Sequence, residues 1–154
     1  MIIRKGNTGD LPEMRRLFTE TITSVCKNDY DRNQIDAWKS GSENNERWLE
    51  VIENQMVIIS KFNGEMTGFC TLDKGSYIDL LFVHKDFQQQ GIARRLYMFI
   101  EQEARVRNEK KLTADVSKTA RPFFEKMGFR IITEQKVNVK GIDLANYKME
   151  KELT

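Results

Sequence analysis

The chain has 154 residues, 40% of them hydrophobic and 31% charged, the balance of one globular domain and not of a disordered or fibrous sequence. Twenty-five Lys and Arg against 23 Asp and Glu leave a formal charge of +2, too small for the phosphate-driven affinity of a nucleic-acid binder. No window approaches the ~20 apolar residues of a membrane span, Met1 to Gly6 lacks the apolar stretch of a secretory signal, and Cys26 and Cys70 make neither a disulfide framework nor a zinc spacing.

These features lead us to expect a cytoplasmic protein with reduced, packed thiols and no metal, membrane or nucleic-acid partner. In chain order, Met1 to Lys5 reads as a short strand. Asp10, Leu11 and Pro12 open a helix in which Leu11, Met14, Leu17, Phe18, Ile22 and Val25 recur at helical spacing. Asp31 is an N-cap for a second helix that carries Ile35 and Trp38 and ends at Gly41. Asn45 to Glu53, with Trp48, Leu49 and Ile52, is a third. The period then turns to two. Met56 to Phe62 and Met66 to Leu72 flank Asn63-Gly64, a strong two-residue hairpin signal. After Gly75-Ser76, the apolar run from Tyr77 to Val83 suits a central strand covered on both faces. Gly91 to Arg107 reads as a long helix with Ile92, Leu96, Phe99, Ile100 and Ala104 inward. Its basic run, Arg94, Arg95, Arg105 and Arg107, continued by Lys110 and Lys111, reads as a solvated face. Lys111 to Val116 is a strand, Thr119 to Met127 a short helix ended by Gly128, and Phe129 to Val139 and Ile142 to Glu150 a pair turning at Gly141. The order predicts one α+β domain over residues 1–154, with a mixed, mostly antiparallel sheet of about seven strands, a parallel central pair joined by the long helix, and helices on both faces.

The segment from Val83 to Ala93 (VHKDFQQQGIA) joins a strand end, a polar loop and a glycine at the mouth of a helix. Free backbone N–H groups and the helix dipole at such a start hold anions. Gly91 lets the backbone approach a ligand, and Ala93 is small enough not to block it. The residues form neither a P-loop, which wants GK[ST], nor a dinucleotide fingerprint. A solvated loop before a flexible helix start fits the same residues.

Gln88-x-x-Gly91-x-Ala93 resembles motif A, Q/R-x-x-G-x-G/A, of the GCN5-related N-acetyltransferase (GNAT) superfamily. Ala120-x-x-Phe123-Phe124-Glu125-Lys126-Met127-Gly128-Phe129 is similar to its motif B, and the element order agrees along nearly the whole chain. Ala37-Trp38, Tyr77-Ile78-Asp79 and Pro122-Phe123-Phe124-Glu125 resemble the YafP-like bacterial branch. The resemblance implies acetyl-CoA as co-substrate, with its pyrophosphate on the N–H groups of Gln88, Gln89, Gln90, Gly91, Ile92, Ala93 and Arg94. It implies a pantetheine arm along the backbone of Leu81, Phe82 and Val83, and a thioester in a gap where the parallel strands splay. Ser117 stands where the family often has an asparagine that contacts pantetheine, though it also suits a cap for the next helix. Phe123 and Phe124 are read as walls of the cofactor channel.

Acetyl transfer to an amine needs a deprotonated nucleophile, a polarised carbonyl and a proton for the leaving thiolate. The family's frequent tyrosine acid in motif B is replaced here by Phe124, which has no proton to give. Strict alternation puts Tyr77, Asp79, Leu81 and Val83 on one face. Tyr77 occupies the place of a catalytic glutamate in some members. Asp79 is the candidate base, acting through water, with an arginine partner, a loop cap or direct contact with a cationic acceptor as the alternatives. Tyr77 is the candidate proton donor, with packing as the alternative, and His84 reads as a solvated loop residue. Tyr30 and Trp38 are the candidate acceptor-binding residues, joined by Trp48 and by Asp29 or Asp31 for a cation; core packing explains the tryptophans equally. The expected reaction is acetylation of a primary amine on a small molecule by direct attack in a ternary complex. A non-catalytic acyl-CoA sensor and a protein N-terminal or lysine acetyltransferase are the alternatives. Monomer and homodimer both remain open.

Overall fold

The period-two segments form a single sheet in the computed structural model, which describes residues 1–153. Its strands are β1 (Ile2–Lys5), β2 (Met56–Phe62), β3 (Glu65–Asp73), β4 (Tyr77–Val83), β5 (Lys111–Ser117), β6 (Arg130–Val139) and β7 (Ile142–Glu152). They lie in the order β1-β2-β3-β4-β5-β7-β6, and only β4 and β5 run parallel. Two of the three hairpin turns, β2–β3 and β6–β7, have the local chemistry that tight reversal requires. Asn63-Gly64 takes φ of 50° and 78°, and Lys140-Gly141 takes 50° and 83°, the left-handed pairs that match strand twist.

Helices α1 (Leu11–Val25), α2 (Arg32–Lys39) and α3 (Asn45–Asn54) cover one face, while α4 (Ile92–Val106) and α5 (Arg121–Lys126) cover the other. Asp31 starts α2 by accepting from Gln34 N at 2.8 Å while Gln34 Oε1 accepts from Asp31 N at 2.9 Å, a reciprocal cap. The helix α4 buries Ile92, Leu96, Tyr97, Ile100 and Ala104. Phe99, expected inward, is 44% exposed; Tyr97 takes the flank of the stripe instead and packs edge-on against Phe123 and Phe129. Among the described residues no helix is long and apolar enough to cross a membrane.

One feature of β4 departs from simple alternation. Thr71 of β3 pairs with Leu80, and the next residue, Leu72, pairs with Ile78, so Asp79 is an extra residue in a β-bulge. The bulge shifts the phase of the strand. Ile78, Leu81 and Val83 pack on the α4 side, whereas Leu80 and Phe82 pack on the α1–α3 side. Tyr77 and Asp79 therefore do not share a face with Leu81 and Val83, as unbroken alternation had suggested.

Candidate active site

The parallel pair is joined only at Tyr77↔Thr113 and Ile78↔Ala114. Beyond these rungs β5 stays bound to β7 as far as Ser117↔Asn146, so β4 from Asp79 to Val83 has no strand on that side. The strands splay beyond the last rung, leaving the amides of β4 on that side to be met by water or a ligand. The gap opens into a cavity of about 310 Å³. Its walls are the two strands, Tyr30 and Trp38 from the α1–α2 side, Phe123 and Phe124 of α5, and the β6–β7 hairpin.

One end of the gap meets the start of α4. Gln89 and Gly91 take φ of 58° and 79°, and no side chain caps the helix. Among the described residues, the N–H groups of Gly91, Ile92, Ala93 and Arg94 find no acceptor. A Cβ placed on Gly91 would meet nothing within 4 Å, so the backbone faces open space. Gln88 turns its side chain inward: Nε2 donates to Val83 O at 2.6 Å. Thr21 Oγ1 donates to the same carbonyl at 3.2 Å, which fixes the end of β4 against the loop.

The narrow end holds two carboxylates, Asp79 and Asp115, each the first residue of its strand past the last rung. Arg47 of α3 donates to Asp79 Oδ1 at 2.7 Å, and Gln55 Nε2 to Oδ2 at 2.7 Å. Asp115 accepts from Tyr77 Oη at 2.8 Å and from Gln135 Nε2 at 2.7 Å. Burial first, then the bond to Asp115, pushes the Tyr77 phenol up, so it stays protonated at neutral pH.

An acetyltransferase (GNAT) domain model matches residues 26–151. The chain belongs to the GNAT acetyltransferase family. This GNAT chain is 31% identical over 147 residues to the N-acetyltransferase YafP of Escherichia coli K12, covering 96% of the chain and 93% of that protein. It superposes on a GCN5-related N-acetyltransferase from Rhodopseudomonas palustris with a TM-score of 0.95 at 28% identity, over 99% and 95% of the two chains. It also superposes on the PaiA N-acetyltransferase of Thermoplasma acidophilum, in complex with coenzyme A, with a TM-score of 0.79 at 15% identity over 99% and 98%. The superfamily and the YafP-like branch read from the motifs are borne out, and the activity is acetyl-CoA-dependent N-acetyl transfer.

Within this GNAT site the expected residues fall into distinct positions. Leu81, Phe82, Val83, Gln88, Ala93, Ser117, Phe123 and Phe124 all line the cavity, while Gln89, Gln90, Gly91 and Arg94 are exposed on the rim and Ile92 is buried beneath it. Ser117 Oγ accepts from Ala120 N at 3.1 Å, which makes it a turn brace and leaves its own proton available. Asp79 lines the cavity, but Tyr77 does not; its hydroxyl is engaged by Asp115. Tyr30 and Trp38 line the cavity, and both also have structural partners. Tyr30 Oη donates to Ala145 O at 2.7 Å and accepts from Lys118 N at 3.0 Å, and its ring meets Trp38 edge-on at 5.4 Å.

Other candidates are brought elsewhere. Trp48 sits in the core between Phe18 and Phe69, its indole N–H on Gly41 O at 3.0 Å. Asp31 is engaged as a cap, and Asp29 accepts from Thr119 Oγ1 at 2.7 Å. His84 lies beside Glu65, with Nδ1 accepting from Asp86 N. Both cysteines are free and buried; Cys26 lies on the cavity wall, with its thiol pushed up by burial. Arg47, Gln55, Asp115 and Asn146 escaped the reading of the sequence. The only local signal was alternation on β5, which puts Asp115 on the face of Thr113 and Ser117.

Proposed function

We propose that the chain transfers the acetyl group of acetyl-CoA to a primary amine of a small molecule by direct attack in a ternary complex. The carrying observation is the walled cavity at the splay, which runs from the bare N–H groups of α4 to the Asp79 end. A pocket roofed by Tyr30 and Trp38 suits a small acceptor better than a polypeptide.

The residues present fit acetyl-CoA. The N–H groups from Gly91 to Arg94 and the dipole of α4 suit a diphosphate, with Gln88, Gln89 and Gln90 shaping the loop. The unpaired edge of β4 at Leu81, Phe82 and Val83 suits the amides of pantetheine, as an added strand would. Ser117 retains a proton to donate to that arm, and Phe123 and Phe124 keep it dry. Acetyl-CoA supplies an activated thioester; the protein's part is to bind, orient and move protons. Asp79, fixed by Arg47 and Gln55, is the proposed base, receiving the acceptor's proton through a water. Tyr77 is proposed to hold Asp115 in place, a role its engaged hydroxyl favours over that of the acid. Phe124 is 3% exposed and has no proton, so the departing thiolate takes its proton from water or from the amine.

A thiol-release assay with acetyl-CoA over a panel of amines tests this. Asp79→Asn is expected to lower turnover by about 10²- to 10⁴-fold, the usual weight of a general base, with acetyl-CoA affinity retained. Tight cofactor binding with no turnover on any amine would replace the proposal with a sensor.

A further inference from the structure

The two carboxylates of the cavity are not equivalent. Asp79 is neutralised by a guanidinium at 2.7 Å. Asp115 is held by two neutral donors, the Tyr77 hydroxyl and the Gln135 amide, and no ion pair among the described residues includes it. Its register partner on β7 is Lys148, an exposed residue on the same face that makes no ion pair with it. A carboxylate has about four lone-pair positions, so two hydrogen bonds orient Asp115 without saturating it. Asp115 is exposed at the edge of the cavity, and an oriented carboxylate outside any ion pair can still accept from a cationic ligand.

The rest of the lining sharpens the chemistry. Asp79 and Asp115 are its only charged residues, and no Lys or Arg is among them. Arg47 is occupied by Asp79 and reaches Glu50 with its other nitrogen at 3.8 Å. The remaining surface is mainly aromatic and aliphatic, with Trp38, Phe82, Phe123 and Leu144 among its members. An acceptor bearing a carboxylate or phosphate would meet no cation among the lining residues, since Lys118, over the Tyr30 ring, and Lys148, opposite Asp115, stand outside them, and Asp115 would repel it.

We infer that Asp115 recognises the ammonium group of the acceptor, and that the acceptors are monocationic amines on an apolar body, without an anionic group. The inference rests on the proposed small-amine function and names its substrate class. Because the attacking nitrogen must be neutral, holding the ammonium is ground-state binding, so its loss appears in KM and not in kcat. Tyr77 and Gln135 act as positioning residues for this carboxylate.

The test uses the full chain and a set of alkyl- and arylalkylamines, each beside its α-carboxylated counterpart. Wild type should turn over the amines and discriminate strongly against the carboxylated forms. Asp115→Asn should raise KM for the amines by about 10- to 100-fold, the weight of a charge-assisted hydrogen bond, with kcat at saturation within about threefold. Tyr77→Phe, which keeps the charge but frees the carboxylate, should give a smaller rise in KM. A non-reacting probe pair, a trimethylammonium compound and its neutral tert-butyl isostere, should show wild type favouring the cation and Asp115→Asn losing that preference. An unchanged KM, a cation preference that survives in Asp115→Asn, or equal use of the carboxylated acceptors would overturn the inference. Calorimetry with acetyl-CoA separates the two levels: a wild-type chain that fails to bind it sinks the proposed function and this inference together, whereas normal binding with an unmoved KM sinks the inference alone.

Discussion

Replacing Gly91 by valine separates backbone strain from ligand recognition. Gly91 has φ of 79°, where a side chain is strained by about 1–3 kcal/mol, with a β-branched residue at the upper end. That penalty falls on the stability of the free protein. The space beside Gly91 is open, with nothing within 4 Å of a Cβ, so the added Cβ meets no protein neighbour; what the side chain would meet is a diphosphate lying on the N–H groups of α4. Losing one charge-assisted N–H bond to phosphate is worth about 1.5–3 kcal/mol, or about 10- to 100-fold in Kd. Gly64 provides the control. It has φ of 78° and equally open surroundings, but it sits in the β2–β3 hairpin away from the cavity. Gly64→Val should lose comparable stability in urea denaturation and bind acetyl-CoA like wild type in calorimetry. An unchanged Kd in Gly91→Val, or an equal loss in both variants, would refute the placement of the diphosphate.

Two further expectations concern the frame of the site. Tyr30 is buried and its hydroxyl bonds both Ala145 O and Lys118 N; Tyr30→Phe should destabilise by about 1–3 kcal/mol, and a shift below ~0.5 kcal/mol, within the range of an ordinary surface change, would remove that role. Burial opposes ionisation of Glu101, yet hydrogen bonds from Lys151, Tyr97 and Arg105 outweigh it and hold the carboxyl down at about 2, against its usual 4.5. A carboxyl lower in the folded state stabilises above its unfolded value and loses that contribution as pH falls. Wild type should therefore weaken between pH 4.5 and about 2, and Glu101→Gln should lack this part of the acid limb; parallel urea midpoints for the two proteins across that window would contradict it.

Features written in neighbouring residues were legible from the sequence. The hairpin at Asn63-Gly64, the cap at Asp31 and the bare start of α4 at Gly91 depend on φ preferences and on donors within a few positions. Periodicity likewise placed every strand and α-helix to within a few residues. Phe99 marks the margin of that method, because a helix has one buried stripe and a residue at its edge is decided by what packs there. The bulge at Asp79 was invisible, since an extra residue exists only relative to the count on the partner strand.

The sequence by itself determined the element order and the uncapped start of α4, because each is set by local backbone chemistry, and it carried the GNAT motifs as residue patterns. The tertiary structure alone decided which carboxylate is ion-paired. Arg47 lies 32 residues from Asp79 and Tyr77 lies 38 from Asp115, and nothing local says that one acid will meet a guanidinium and the other only a phenol and an amide. Charge pairing at such separation is a product of packing, and here packing sets the character of the cavity.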